Sequence, residues 1–93
     1  MKQATNPHTP EAVGKRLILT RRALGFEKQK EFAERAGIAA SAYNQWETGA
    51  KFPGVRSALL LCNEYGLTLD WIYRGDPSGL PYHVAKLFTK DEI

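Results

Sequence analysis

The stretch Gln29–Gly49, QKEFAERAGIAASAYNQWETG, decides how this chain of 93 residues folds. Apolar residues recur in it at helical spacing, which predicts two short helices at about 29–36 and 40–48. Gly37 separates them and supplies the positive φ that a tight turn between helices requires. A small side chain, Ala33, is expected where the two helices cross. The positions expected to be buried are Phe32, Ala33, Ala36, Ile38, Tyr43 and Trp46.

The rest of the chain also predicts helices. Thr9 as N-cap followed by Pro10 and Glu11 is typical of a helix start, and Gly25 ends that helix after about Leu24. A fourth helix is expected at about 55–65 and a short fifth one, capped by Thr68, before Gly75. The fourth helix should bury Val55, Ala58, Leu59, Cys62 and Tyr65, and the first Val13, Leu17, Thr20 and Leu24.

These elements predict an all-α fold, since no alternating run is long enough for a strand. Residues 1–8 are expected to be a disordered arm, 9–75 a single helical domain and 76–93 a tail. A short amphipathic sixth helix can form at 81–88, where Val84, Leu87 and Phe88 share one face with Leu80.

Composition excludes several classes of protein. With 43% hydrophobic and 25% charged residues, no long apolar run and no signal-peptide pattern, the chain is typical of a cytoplasmic globular protein. The single cysteine, Cys62, excludes an internal disulfide and a cysteine-based zinc cluster. His8 and His83 are far apart, so no metal site is expected. No phosphate loop or nucleophile motif is present, and neither a cofactor nor an enzymatic activity is expected.

The charge is basic but mild, with a net charge of +3 and a pI near 9.2. Between Lys15 and Arg35, seven cations stand against three carboxylates, a net +4. This concentration is consistent with a solvated helix face and also with contact to a nucleic-acid backbone.

The motif resembles a known family. Gln29, Ala33, Gly37, Ile38, Trp46-Glu47 and Gly49 are similar to the motif of phage repressor and Cro-type regulators, the XRE helix-turn-helix family. Arg21, Pro53, the segment Gly66–Ile72 and Gly75 extend the resemblance over roughly residues 11–75. It implies a compact five-helix, lambda-repressor-like DNA-binding domain, cytoplasmic and encoded by a bacterium or phage. The third helix would lie in the major groove of double-stranded DNA.

The resemblance also implies which residues read bases. Positions 40, 41 and 45 would contact base edges, and Asn44 stands on the same exposed side. Asn and Gln can bond adenine bidentately, whereas Ser discriminates little and Ala offers only contact with a thymine methyl. Direct readout would therefore rest mainly on Gln45, with DNA shape supplying the rest of the specificity. The base-reading set is Ala40, Ser41, Asn44 and Gln45.

Two further roles are expected. Gln29 would bond phosphate at the start of the second helix, where unpaired backbone N–H groups attract anions. The cations near that start and after the third helix would contact the flanking phosphates, which predicts strongly salt-dependent binding. In similar proteins the glutamate at position 47 pairs with the arginine of the first helix, here Arg21. The phosphate set is Lys28, Gln29, Lys30, Lys51 and Arg56.

These expectations define two hypotheses. The first is a transcriptional repressor that binds a (pseudo)palindromic operator as a homodimer. The second is a protein-interaction module of the same fold, an antitoxin or anti-activator, for which DNA binding is secondary. The apolar tail either forms a dimer surface or packs back onto its own domain. The candidate dimer surface comprises Leu60, Tyr73, Leu80, Val84, Leu87 and Phe88.

Overall fold

Helices make up the architecture throughout residues 6–89, the part of the chain that the computed structural model describes. The prediction of an all-α fold is confirmed, and no strand occurs within these residues. None of the described helices is both long and apolar enough to cross a bilayer. In chain order the elements are α1 (Pro10–Ala23), α2 (Gln29–Arg35), α3 (Ala40–Glu47), α4 (Val55–Tyr65), a π-helix (Asp70–Arg74) and α5 (Tyr82–Thr89).

The residues predicted to begin α1 and to form the turn between α2 and α3 have these roles in the structure. The Thr9 hydroxyl accepts a hydrogen bond from the Ala12 N–H at 3.1 Å, with Pro10 at the first helical position. Gly37 adopts φ +85° between α2 and α3, and the next N–H, of Ile38, returns to the carbonyl of Ala33 at 2.9 Å. The turn is therefore held to the end of α2 by a backbone hydrogen bond, and α3 begins after it.

An aromatic cluster fills the space behind this turn. Phe32 is fully buried, and its ring stacks on that of Tyr65 with centroids 4.3 Å apart. Tyr43 meets Phe32 from α3 and Trp46 from within its own helix, with centroid separations of 5.4 and 5.7 Å. The Tyr65 hydroxyl donates to the Phe32 carbonyl at 2.7 Å, so α4 is fixed to α2 by both packing and a hydrogen bond.

Helix α1 crosses α3 at Gly14. A Cβ atom at this position would lie 2.5 Å from the Trp46 carbonyl oxygen and 2.6 Å from that of Glu47. Only a residue without a side chain permits that separation of the two backbones. Ala33, the small residue predicted at a helix crossing, is buried, but the closer approach of two helices at Gly14 carries no signal in the sequence pattern.

The buried face of α4 differs from the expected one. Leu61 is fully buried, whereas Val55 and Leu59 are 58% and 44% exposed, so their predicted burial is wrong. The run of three leucines at 59–61 offers two apolar stripes, and the one that faces the core continues from Ala58 through Leu61 to Tyr65. The other stripe is left as apolar surface.

The C-terminal tail packs back onto its own domain. Leu80 and Val84 are buried in the common core, and the ring of Phe88 stacks on Trp71 at 4.6 Å. Of the two alternatives for the tail, the structure therefore has this one, and Leu80 and Val84 are not available as a dimer surface. Tyr73, expected on that surface, is half-buried and donates its hydroxyl to the Pro53 carbonyl at 2.5 Å.

Part of the predicted disordered arm contacts the first helix. Residues 1–5 lie outside the described residues, but residues 6–8 form a turn in which the His8 N–H donates to Asn6 Oδ1 at 2.8 Å. Arg16 of α1 donates to the Pro7 carbonyl, also at 2.8 Å. The backbone of residues 6–8 is thus held against the domain by a guanidinium of α1, and disorder of the arm stays a prediction.

Candidate nucleic-acid interface

Helix α3 has two chemically distinct sides. Tyr43, Trp46 and Glu47 are buried against the rest of the domain. Ser41, Asn44 and Gln45 are exposed on the opposite side, at the i, i+3, i+4 spacing of one helix face. Ala40, the remaining predicted base-reading residue, is half-buried at the first turn. The structure thus brings three polar side chains together on an open helix surface.

Both ends of α3 leave this surface accessible. The N-cap is Ala39, whose side chain cannot accept a hydrogen bond from the first-turn N–H groups. At the other end, the Thr48 hydroxyl donates to the Gln45 carbonyl at 3.1 Å. That bond engages the backbone of Gln45 and leaves its side chain exposed to solvent.

The predicted partners Arg21 and Glu47 lie together beneath this helix. Arg21 Nε donates to Glu47 Oε2 at 2.7 Å and Nη2 donates to Oε1 at 3.1 Å, so the guanidinium binds the carboxylate with two parallel bonds. The Nη1 group donates to the carbonyls of Phe26 and Glu27 at 3.0 and 2.6 Å. One side chain thereby joins α1, α3 and the loop that precedes α2.

Gln29 makes a contact within the protein besides its predicted role at phosphate. Its Nε2 donates to Glu47 Oε1 at 2.7 Å, which adds the start of α2 to the Arg21–Glu47 pair. The amide group has a second hydrogen, which is not bonded to any residue in the described part of the chain. Phosphate contact by Gln29 stays a prediction, and it would have to use that hydrogen or the backbone.

The polar groups of Arg21, Tyr43 and Gln29 around Glu47 also set its protonation. Burial acts to raise the pKa of Glu47, but the hydrogen bonds from Arg21 and Gln29, with the Tyr43 hydroxyl nearby, outweigh it and hold this pKa below its ordinary value. The carboxylate is therefore charged at neutral pH. The Tyr43 hydroxyl is itself buried and has no hydrogen-bond partner within the described residues.

The cations proposed for phosphate contact are all exposed. The Lys51 N–H donates to the Gln45 carbonyl at 3.2 Å, which places Lys51 directly at the end of α3. Lys28 and Lys30 flank Gln29, whose bond to Glu47 brings them to the same end of the helix. Arg56 is exposed at the second position of α4.

Other cations between Lys15 and Arg35 make contacts that stabilise the fold itself. Arg21 is buried in its ion pair, and Arg16 binds backbone carbonyls. Arg35 lies 3.9 Å from a Glu64 carboxylate oxygen and over the Phe26 ring. The local charge of +4 inferred from the sequence is thus partly structural, and Lys28 and Lys30 are exposed members of it that flank Gln29.

Metal chemistry has no evident place in the described residues, which contain no group of three His, Cys, Asp or Glu side chains suited to hold an ion. His8 and His83 are both exposed. Cys62 is half-buried rather than a full core residue, and burial raises the pKa of its thiol.

Two short helices joined at a left-handed glycine, with the second exposing polar side chains, define the class as a helix-turn-helix domain. A family model described as a helix-turn-helix domain matches residues 14–76, and the chain belongs to this family. Double-stranded DNA is the partner that this membership supports. Comparison with curated proteins and with solved structures gave no match.

Proposed function

We propose that this protein is a transcriptional regulator of the XRE/Cro type that reads double-stranded DNA with the outer face of α3. The observation that carries the proposal is the exposure of Ser41, Asn44 and Gln45 on a helix whose other side is buried. An α-helix fits the major groove of B-DNA, where base edges are distinguishable. A helix supported by a rigid core can hold such side chains in register.

The side chains on this face favour A·T base pairs. Gln45 and Asn44 can each bond adenine N6 and N7, and Ala40 can contact a thymine methyl group. Helix α3 contains no arginine or lysine, the residues that most often bond guanine. We expect selected half-sites to carry adenine opposite Gln45, with further specificity from the deformability of flanking DNA.

Phosphate contacts by the exposed cations would supply much of the affinity. Each neutralised phosphate lowers the slope of log K against log salt by about 0.9 for B-DNA. Replacing Lys30 and Lys51 together with Gln should therefore make the slope shallower by about 2. Lys86→Gln, an exposed cation on α5, is the matched control and should leave the slope unchanged. A slope that stays the same in the double variant would contradict these phosphate contacts.

A homodimer would explain how so small a reading surface reaches useful affinity, because two half-sites one helical turn apart double the contacts. Leu80 and Val84 lie in the core, whereas Leu60 of the expected dimer surface is exposed. Phe52, Val55 and Leu59, in and just before α4, are each more than 40% exposed and offer an apolar surface for the dimer. Sedimentation of wild type and Leu59→Lys tests this: the dimer should dissociate in the variant, and an unchanged dimer would place the interface elsewhere.

Repression is the regulatory outcome that we propose, through occupation of an operator that overlaps a promoter. A reporter gene placed behind a selected site tests it. Expression should fall when the wild-type protein is supplied and recover with Gln45→Ala. A rise in expression with wild type would identify an activator.

The interaction-module hypothesis has lost its main support. It relied on an apolar tail, but Leu80, Val84 and Phe88 pack within their own chain. The Phe52, Val55 and Leu59 surface is one exposed apolar area that a protein partner could cover. Tight complex formation with a protein encoded by a neighbouring toxin-like reading frame, together with weak DNA binding, would favour this alternative.

A further inference from the structure

An open pocket of about 540 Å³ lies between α1 and the π-helix, apart from the predicted DNA-binding residues. Ala12, Leu19 and Trp71 form its apolar part. Three cations, Lys15, Arg16 and Arg74, also line it, and no carboxylate is among its lining residues. The pocket therefore combines an apolar surface with a local positive charge that the fold does not neutralise within it.

Arg16 is a half-buried cation of this pocket that binds only uncharged acceptors. Its Nε and Nη2 donate to the Ile72 carbonyl at 3.3 and 3.0 Å, and Nη2 also donates to the Pro7 carbonyl at 2.8 Å. These acceptors are uncharged, and no ion pair in the described residues includes Arg16. Burial lowers the pKa of this half-buried guanidinium. An anion in the pocket would supply the missing countercharge.

The Nη1 group of Arg16 remains available to such an anion. It makes no hydrogen bond within the described chain, and it faces Gly75, where a Cβ atom would lie 2.9 Å from it. Because position 75 is glycine, no side chain covers the guanidinium there. Lys15 is exposed beside it, and Arg74 makes only a 3.4 Å exposed contact with Asp70.

We propose that this pocket binds a small amphipathic carboxylate. The carboxylate would bond Arg16 Nη1 between Lys15 and Arg74, and the hydrocarbon body would lie on Leu19 and Trp71. Leu19 is 52% exposed in the structure, an apolar surface that such a ligand would cover. The volume is within the roughly 300–1,000 Å³ of small-molecule sites. The site is independent of the proposed DNA contacts, since none of its residues belongs to them.

Octanoate is a suitable probe, followed by backbone amide NMR shifts of the full chain. Saturable shifts are expected at Ala12, Lys15, Leu19 and Gly75, with a Kd of about 1 mM for a ligand of about ten heavy atoms. Octanol and acetate, which keep only the apolar body or only the charge, should each bind at least about tenfold more weakly.

Surface variants test the assignment without disturbing the core. Lys15→Gln combined with Arg74→Gln should weaken octanoate binding by about tenfold or more, and so should Leu19→Gln. Lys86→Gln, a cation outside the pocket, should leave binding unchanged. Thermal melting curves of each variant without ligand verify that the fold is intact.

Three results would overturn the proposal. The first is the absence of saturable shifts up to about 10 mM octanoate. The second is equal binding of octanol and octanoate, or of wild type and the Lys15→Gln/Arg74→Gln variant. The third is a shift of the same amides on deletion of residues 90–93 without added ligand, which would make the chain's own acidic end the occupant.

Discussion

The guanidinium of Arg21 holds both carboxylate oxygens of Glu47, with Nε–Oε2 and Nη2–Oε1 distances of 2.7 and 3.1 Å across 26 positions of sequence. Both side chains are at least 94% buried. The pair links the first helix to the helix proposed to read DNA. Because Gln29 also donates to Glu47, the start of α2 is fixed by the same carboxylate.

Arg21→Ala should lower the free energy of unfolding by about 3–5 kcal/mol, because it leaves the Glu47 carboxylate buried without its charged partner. Urea unfolding at neutral pH measures the loss. Arg22→Ala is the matched control: Arg22 is exposed and outside any described ion pair, so the change should stay within about 0.5 kcal/mol. Equal, small losses in the two variants would show that the pair does not stabilise the fold.

The same pair should make the free energy of unfolding depend on pH in the acid range. The pKa of Glu47 is lower in the folded protein than its ordinary value of 4.5, so the unfolded chain binds this proton more tightly. The stabilisation is complete above about pH 4.5 and is lost as pH falls through the lowered pKa. Unfolding of wild type and Glu47→Gln should therefore differ most near neutral pH and converge in acid. A difference that does not change with pH would contradict the assignment.

Tyr43→Phe should change stability by less than about 1 kcal/mol, because the buried Tyr43 hydroxyl makes no hydrogen bond within the described residues but does favour the charged form of Glu47. Tyr65→Phe provides the contrast. Its hydroxyl donates to the Phe32 carbonyl at 2.7 Å, so the change should cost about 1 kcal/mol. Thermal unfolding of both variants compares them. A larger loss in Tyr43→Phe than in Tyr65→Phe would show that the Tyr43 hydroxyl makes a stabilising bond.

Gly14→Ala should destabilise the domain by about 2–3 kcal/mol, since the added Cβ would lie 2.5 Å from a backbone oxygen of α3 and force α1 away. Gly54→Ala is the control, because it has open space around it and an ordinary φ of −71°. Its effect should be within about 1 kcal/mol, because Gly54 is the N-cap of α4, where Ala is less favourable than Gly. If Gly14→Ala were as stable as Gly54→Ala, the close α1–α3 crossing would be incorrect.

Local signals in the sequence predict much of this fold. Thr9-Pro10, Gly37 and Gly66 define helix ends through their own backbone preferences, so the helix boundaries agree with the structure to within a residue or two. The two sides of α3 also follow from periodicity alone, because only one face of it is apolar.

Features set by long-range packing were not predictable in the same way. The leucine run of α4 fits two faces equally well, and only the neighbouring helices select Leu61 for burial. Gly14 is unremarkable within α1 until α3 crosses it, and the Gln29–Glu47 bond joins residues 18 positions apart. The tail was ambiguous because its apolar face suits a partner and its own core equally; Trp71 provides the surface on which it packs.

We propose that the outer face of α3 reads DNA sequence, a claim for which Gln45→Ala is the sharpest test. Sites are selected from random duplexes with the wild-type protein, and the affinity for the selected site and for random DNA is then measured at one salt concentration. Loss of a bidentate contact should reduce the ratio of the two affinities roughly 5- to 150-fold. This corresponds to a loss of about 1–3 kcal/mol in binding free energy at the selected site relative to random DNA. Asn63→Ala, exposed on α4, should leave the ratio unchanged. An unchanged ratio in Gln45→Ala would contradict the claim.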